Sequence, residues 1–332
     1  MDNGVPVIDI AVLRGAGGSR KSIETIDAIS AGCRDWGFFQ VVNHGVPNQL
    51  IERVWSETHR FFALPRETKL AISRTRENPR GYYDRELTKN KRDLKEVFDF
   101  GVVPHPELPD DHPENRAAVD GYNQWPVTLP SFKGTMLQYF HSCEELGIEL
   151  LEALCLGLGV ERDALRPHFT PLHTSFMRFN YYPLADPLEP DAAAATVQLG
   201  DMALHHHTDA GALTILLQDE VGGLQVSADD AWFDVQPLAG ALVVNVGDMT
   251  QVWSNDRYRA ALHRVRPITD RPRYSIPFFF NPSYETDCAP LTAVIGDEPK
   301  YRAVNWGKFR QARTEGDYGD YGKEIQIEDF LA

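Results

Sequence analysis

The sequence predicts a mainly β fold: a double-stranded β-helix (jelly roll) core with flanking α-helices and an α/β N-terminal region. Three observations carry the expectation. From 171 to about 284 the chain runs in short period-two or β-branched stretches, divided by turn residues at 228–230, 238–240 and 247–248. Before that region, apolar residues recur at three-and-four spacing over long stretches, the mark of helices with one buried stripe. Within the β-rich part, LHHHTDAGALTILLQD at 204–219 sets ionisable residues of one parity in an apolar run. An inward polar face at one open end of a closed sandwich follows.

Taken in order, residues 6–13 alternate well enough for a short strand, GAGG at 15–18 breaks it, and Ser22 is placed to cap a helix carrying Ile23, Ile26 and Ile29 that ends near Gly37. GFFQVVNHGV at 37–46 reads as a buried strand ending in turn chemistry, where His44 satisfies backbone groups rather than a metal. Pro47 opens a helix whose Leu50, Ile51, Val54, Trp55, Thr58, Phe61 and Phe62 form one core stripe. Residues 80–101 look loop-like until a strand at 97–100, and PHPELPDDHPEN at 104–115 should be exposed and irregular. From 129 to 159, Phe132, Leu137, Phe140, Cys143, Leu146, Leu150, Leu151, Leu154 and Leu158 fit a long spine helix ended by glycine. HTSFMRFNYYP opens the β-rich region, a proline- and alanine-rich loop at 183–197 follows, and a last helix at 304–311 should lie over the outside. The division expected is 1–116 for the N-terminal region and 117–332 for the rest, with the core at about 171–284, integrated as one domain.

Composition bounds the function. With 332 residues, 42% of them hydrophobic, the chain can bury a large core. Its 33 basic and 48 acidic residues give a net charge of -15, which opposes binding to nucleic acid or an anionic membrane. A small-molecule partner is expected instead. Cys33, Cys143, Cys155 and Cys288 are widely spaced and few for the length, which suits a reducing compartment. The N-terminus lacks a basic leader and no apolar run reaches about 20 residues, so a cytoplasmic protein is expected; it is taken as a monomer.

The chemistry-bearing residues converge. Side chains two apart on an extended strand share a face, so His207 and Asp209 can reach one point. His263, in ALHRV, completes two imidazoles and one carboxylate, the facial set of non-haem Fe(II) sites, which leaves three positions of an octahedral metal open. An ionisable residue in so apolar a neighbourhood is expensive without a partner or a metal. His205 shares the parity of the pair, but it and His206 are read as rim residues. Asp248 is read as a turn acid. Ten positions beyond His263, Arg273 and Ser275 share a strand face and offer a guanidinium fork and a hydroxyl suited to a carboxylate.

HTDAGALTILLQD, VNVGDM, ALHRV, RYSIPFFFNP, NYYP at 180–183 and GFFQVVNHGV together resemble the isopenicillin-N-synthase-like branch of the Fe(II)/2-oxoglutarate-dependent oxygenases. The resemblance implies the same jelly roll, Fe(II) on His207, Asp209 and His263, and 2-oxoglutarate and O2 as cosubstrates. It further implies that Arg273 and Ser275 hold the distal carboxylate of 2-oxoglutarate, with Asn180 and Tyr182 touching the cosubstrate, and that 80–101 covers the cavity mouth. No catalytic side chain beyond the metal ligands is implied. The activity it implies is oxidation of a C–H bond of a small organic molecule (hydroxylation, desaturation or cyclisation), with 2-oxoglutarate converted to succinate. Parity adds Phe176 and Arg178 beside Asn180 and Tyr182, and Phe279 and Asn281 beside Arg273 and Ser275, as substrate-side candidates offering a cation, an amide and two aromatic walls. Alternatives are an iron oxidase that uses no 2-oxoglutarate, a non-catalytic metal-bound jelly-roll sensor, and a zinc hydrolase. Neither of the last two predicts the Arg–Ser pair.

Overall fold

The computed structural model describes residues 4–14, 19–88, 91–116, 119–186, 188, 202–292, 298–313 and 325–332. Its first strand, β1 (Val7–Asp9), is shorter than expected because the chain turns into a 3₁₀ turn at Ala11–Arg14. The glycines at 15–18 fall outside the described residues. Ser19, not Ser22, caps α1 (Arg20–Asp35): its extended backbone lets its hydroxyl accept from Ser22 N at 3.1 Å. Beyond α1 come β2 (Phe38–Val42), parallel to β1, and α2 (Asn48–Phe62), which buries Leu50, Val54, Thr58, Phe61 and Phe62 as the spacing requires. A short α3 (Arg66–Leu70) follows.

The stretch 80–101 is more ordered than a loop. It carries β3 (Gly81–Tyr83), β4 (Leu87–Thr88) paired with β5 (Lys91–Arg92), and β6 (Glu96–Gly101). Its charged residues turn inward and pair, which is why polarity was a poor guide to exposure here. Glu86, 2% exposed, accepts from Arg74 at 2.7 Å, Lys95 at 2.9 Å and Arg178 at 3.0 Å. The long helix α4 (Phe132–Leu158) ends where Gly159 turns left-handed at φ 77, and it packs against α1 and α2.

Two sheets follow. Strands β7 (Phe176–Tyr182), β9 (Leu213–Gln218), β12 (Leu242–Val246) and β14 (Arg273–Phe280) form the centre of an eight-stranded sheet, ordered β1-β2-β12-β9-β14-β7-β6-β3. Strands β8 (Leu204–His207), β10 (Leu224–Ala228), β11 (Ala231–Asp234) and β13 (His263–Val265) form a four-stranded sheet, ordered β11-β10-β13-β8. The left-handed Asp229 and Asp230 make the expected turn between β10 and β11. The alanine-rich loop lies largely outside the described residues. Where a turn was expected at 247–248, Gly247 instead caps a helix, α5 (Asp248–Trp253). A two-stranded ribbon, β15 (Asp287–Cys288) with β16 (Val304–Asn305), leads to α6 (Trp306–Arg313).

Parity along the large sheet sorts the residues. Met177, Phe179, Leu213, Ile215, Leu217, Val244, Ile276, Phe278 and Phe280 face the helices and join one large core cluster. Phe38, Tyr182, Leu216 and Val243 face the small sheet and pack on Leu224, Val226, Ala228 and Val265. That inter-sheet space is apolar at one end and carries polar side chains at the other, so this is a jelly roll with helices on its outer face.

The Glu86 cluster sets a pH test. Burial pushes its carboxyl up, but Arg178, Lys95 and Arg74 outweigh burial and hold it well below the ordinary 4.5. Since folding lowers this pKa, the stabilisation is complete above the ordinary value and is lost as pH falls through the lower folded one. Glu86→Gln should cost about 3–5 kcal/mol at pH 7 by leaving buried cations uncompensated. In urea unfolding, that gap should shrink markedly at pH 3.5; an equal gap at both pH values would contradict the assignment.

Candidate active site

β8 and β13 run antiparallel with His207 directly opposite His263. Their Nε2 atoms each lie 3.7 Å from Asp209 Oδ1. One donor atom from each residue falls within 4.8 Å of the others, the one such group among the described residues. His205 and His206 lie outside it. The sequence placed His207 and Asp209 on one extended strand, but β8 ends at His207 and β9 begins at Leu213. Asp209 sits in the crossing, where the chain leaves the small sheet for the large one. The crossing is tight: a Cβ on Gly211 would come within 1.8 Å of Asn281 Oδ1, and one on Gly247 within 2.3 Å of the Gly211 carbonyl.

Each donor is held from behind. Nδ1 of His207 donates to its own i−2 carbonyl, His205 O, at 2.9 Å, and Nδ1 of His263 does the same to Ala261 O at 3.1 Å. Both Nε2 lone pairs are thereby turned toward the carboxylate. Asp209 Oδ2 accepts from Thr214 and from Asn245 Nδ2 at 2.8 Å, leaving Oδ1 for the space between the rings. Burial pushes the Asp209 carboxyl up, but His263, His207 and these two donors outweigh it and keep it ionised. Burial, then the neighbouring His263, pushes His207 well below its usual value, so it is neutral, the ligating form. Two imidazole nitrogens and a carboxylate oxygen turned to one point are a donor set for a hard-to-borderline dication. Thr214 and Asn245 went unread in the sequence, although Asn245 as the lone amide in LVVNV was a signal.

A second constellation lies on the large sheet. Antiparallel register sets Arg273 beside Tyr182 and Ser275 beside Asn180 and Gln218. Arg273 is 1% exposed, and its acceptors are neutral: Ser275 Oγ at 3.2 Å and Gln218 Oε1 at 3.5 Å. Its guanidinium lies 5.0 Å over the Tyr182 ring, and Asn180 donates to Ser275 Oγ at 3.3 Å. Arg273 Nε and Gln218 Nε2 are buried without any acceptor. A buried guanidinium lacking a carboxylate is an expensive arrangement that a bound dicarboxylate would complete.

Phe176, Arg178, Phe279 and Asn281 all line one cavity with Asp209, of about 150 Å³. Phe176 and Phe279 stack at 4.5 Å. Arg178 is not the open cation expected, because Asp99 in the adjacent β6 takes its Nε and NH2 at 2.8 and 2.7 Å while Glu86 takes NH1. The last helix is also corrected. Rather than lying over the outside, α6 brings Trp306, Arg310 and Arg313 into the cavity wall. Arg313 reaches Thr208 O at 3.4 Å, next to Asp209. His44 donates to or accepts from backbone groups only, Gly240 O and Val46 N. Asp248 is no turn acid: it opens α5, is 1% exposed, and burial pushes its carboxyl up to about 7, partly offset by Arg313.

Comparison with known proteins places this geometry. The non-haem dioxygenase N-terminal model (named for morphine synthesis) matches residues 5–128, and the 2OG-Fe(II) oxygenase superfamily model matches 173–282. A 2-oxoglutarate-Fe(II) type oxidoreductase, hxnY, of Emericella nidulans is 36% identical over 96% of this chain and 93% of its own. A 1-aminocyclopropane-1-carboxylate oxidase of Musa acuminata is 33% identical over 96% and 94%. Among solved structures, a full-length Neurospora crassa protein in complex with alpha-KG and thymine superposes with TM-score 0.78 at 28% identity, over 95% of this chain and 98% of that one. JOX2 with 2OG, Fe and JA gives 0.79 at 28%, over 99% and 90%. The chain therefore belongs to the 2OG-Fe(II) oxygenase superfamily, in its isopenicillin-N-synthase-like branch. It is an oxidoreductase that depends on iron and 2-oxoglutarate.

Because Asn245 aims Asp209 Oδ1 by holding Oδ2, Asn245→Leu should weaken Mn(II) or Fe(II) binding about 10–100-fold. Isothermal titration on protein that retains its circular dichroism checks this; unchanged affinity would remove Asn245 from the site.

Proposed function

We propose that His207, Asp209 and His263 hold Fe(II) through Nε2, Oδ1 and Nε2, and that Arg273 and Ser275 bind the distal carboxylate of 2-oxoglutarate, flanked by Asn180 and Tyr182. The observation that carries this is the buried Arg273, a cation on the inner face of the large sheet with only neutral acceptors. When bound, iron and 2-oxoglutarate reduce O2 and supply the oxidising power, releasing succinate and CO2.

The chain's own residues bind and orient. A metal held by these three residues would stand at the cavity that Asp209 lines, and Phe176 and Phe279 wall that cavity so that an apolar body displaces water from it. Asn281 adds an amide near Gly211. Arg178 serves the fold of 81–101 rather than the substrate's charge. A compact organic molecule with an apolar or aromatic body is the substrate this supports, with one C–H bond oxidised per 2-oxoglutarate consumed. The Neurospora crassa protein, solved with thymine, and JOX2, solved with JA, are relatives that hold small organic molecules. We place the enzyme in the cytoplasm as a monomer with no nucleic-acid or membrane partner: its cysteines are all buried and unpaired, its net charge is -15, and among the described residues no helix is long and apolar enough to cross a membrane.

Anaerobically loaded protein should release succinate and consume O2 in equal amounts only when 2-oxoglutarate is added; full O2 uptake without any 2-keto acid would sink the reading. His207→Ala, Asp209→Ala and His263→Ala should each abolish turnover in folded protein, while His205→Ala keeps the metal. Arg273→Lys keeps the charge and loses the fork, so the KM for 2-oxoglutarate should rise at least about tenfold with metal affinity within about twofold. Equal losses in both would assign Arg273 to the fold instead.

A further inference from the structure

One row of residues crosses the large sheet from the metal ligands to a cationic end. Register places Thr214 of β9 beside Phe279 of β14, Phe279 beside Phe176 of β7, and Phe176 beside Gly101 of β6. Thr214 donates to Asp209 at one end of the row. At the other, Arg80 lies so close that a Cβ on Gly101 would meet its NH2 at 2.6 Å. Three strand spacings separate the ends, roughly 14 Å. Between them the rings of Phe279 and Phe176 stack against each other at 4.5 Å and make a continuous apolar wall.

The far end is built for an anion. The Arg80 side chain is 6% exposed and lines the cavity. Its NH1 donates to Val102 O at 3.1 Å and to Asn123 Oδ1 at 2.9 Å, both neutral. Its NH2 has no hydrogen-bond acceptor among the described residues, and the nearest carboxylate, Asp120, stands 4.0 Å away. Asp120 is shared, with Oδ1 taken by Arg310 Nε and NH2 and Oδ2 accepting from the Tyr284 hydroxyl, so one carboxylate faces two guanidinium groups. The Arg310 guanidinium lies 4.9 Å over the Phe176 ring, at the same end of the wall. A nine-tenths-buried guanidinium that lines a cavity and shares one carboxylate with a second guanidinium leaves a positive charge that a planar anion from outside the chain would balance. Arg178 differs in kind, since all three of its nitrogens are spent on Asp99 and Glu86.

The geometry points to an anion subsite at Arg80, flanked by Arg310, and hence to a small organic monocarboxylate as substrate: its carboxylate on Arg80, its apolar body against Phe176 and Phe279, and the oxidised carbon at the opposite end. This rests on the metal assignment proposed above and names the substrate class that site would serve. For hydroxylation the balance is R–H plus 2-oxoglutarate plus O2 giving R–OH plus succinate plus CO2, with the carboxylate of R unchanged.

The test uses full-length protein with Mn(II) and saturating 2-oxoglutarate, and reads thermal stabilisation by benzoate, phenylacetate, 4-phenylbutyrate and 2-naphthoate, each beside its primary carboxamide. At least one acid should stabilise the protein where its amide does not. Arg80→Gln should weaken that acid's Kd at least about tenfold, Arg80→Lys should restore part of it, and 2-oxoglutarate's own Kd should stay within about twofold. Arg310→Gln, which leaves Arg80's buried contacts in place, should weaken the acid as well and keeps the test decisive if Arg80→Gln does not fold. If no acid outperforms its amide, or if the acids bind Arg80→Gln and Arg310→Gln as tightly as wild type, the subsite is overturned. The 2-oxoglutarate arm separates the two readings: stabilisation by 2-oxoglutarate with no preference for acids leaves the metal and cosubstrate assignment standing and removes only the subsite.

Discussion

The structure depends on one buried carboxylate held between two imidazole rings. Asp209 is 8% exposed and ionised, so the chain around it is arranged to tolerate a charge the interior would otherwise reject. Asn245 and Thr214 take one oxygen and leave the other to face His207 and His263. Those contacts require the chain to change sheets within five residues, 208–212, which in turn requires Gly211 and Gly247 to pass each other closely. The start of α5 is stitched to the same crossing, through Asp248 N to Asp209 O at 2.8 Å and Met249 N to Gly211 O at 3.0 Å. Fold and metal centre are therefore one construction: the donors converge only where the two sheets are joined.

Charge placement elsewhere follows two rules. Where the interior needs rigidity, opposite charges are buried together, as Glu86 is with Arg74, Lys95 and Arg178. Where the inner face of the large sheet turns toward the small one, a guanidinium is instead buried with neutral acceptors, as Arg273 is with Ser275 and Gln218. Telling these apart needs partner distances, because both look like an arginine on an inward face.

That distinction also marks the limit of the sequence. Period-two parity was legible because the large sheet buries both faces differently, and it put Phe176, Asn180, Tyr182, Arg273, Ser275 and Phe279 on the inner face correctly. The jelly roll was legible from its short strands, and the His207, Asp209, His263 set from its residue types, although the single strand expected to join His207 to Asp209 is not there. Arg178 was misread, since its partners Asp99 and Glu86 come from a segment whose inward turn no local pattern announces. The Asp209 crossing was invisible too, because TDAGA carries no break strong enough to divide one apparent strand into two sheets. α6 reached the cavity through contacts more than a hundred residues apart in sequence, such as Arg313 to Thr208.

The rows of the large sheet have an evolutionary reading. Asn180 and Ser275 lie in one row, Phe176 and Phe279 in another four residues along each strand, roughly 13 Å away. On the proposed assignment, cosubstrate and substrate are read from separate lines of the same fabric, joined through the metal. Mutational drift along the Phe176 line can retune which molecule is accepted while the oxidising machinery is inherited intact, and a lineage built this way can diversify its chemistry of recognition without reinventing its chemistry of reaction.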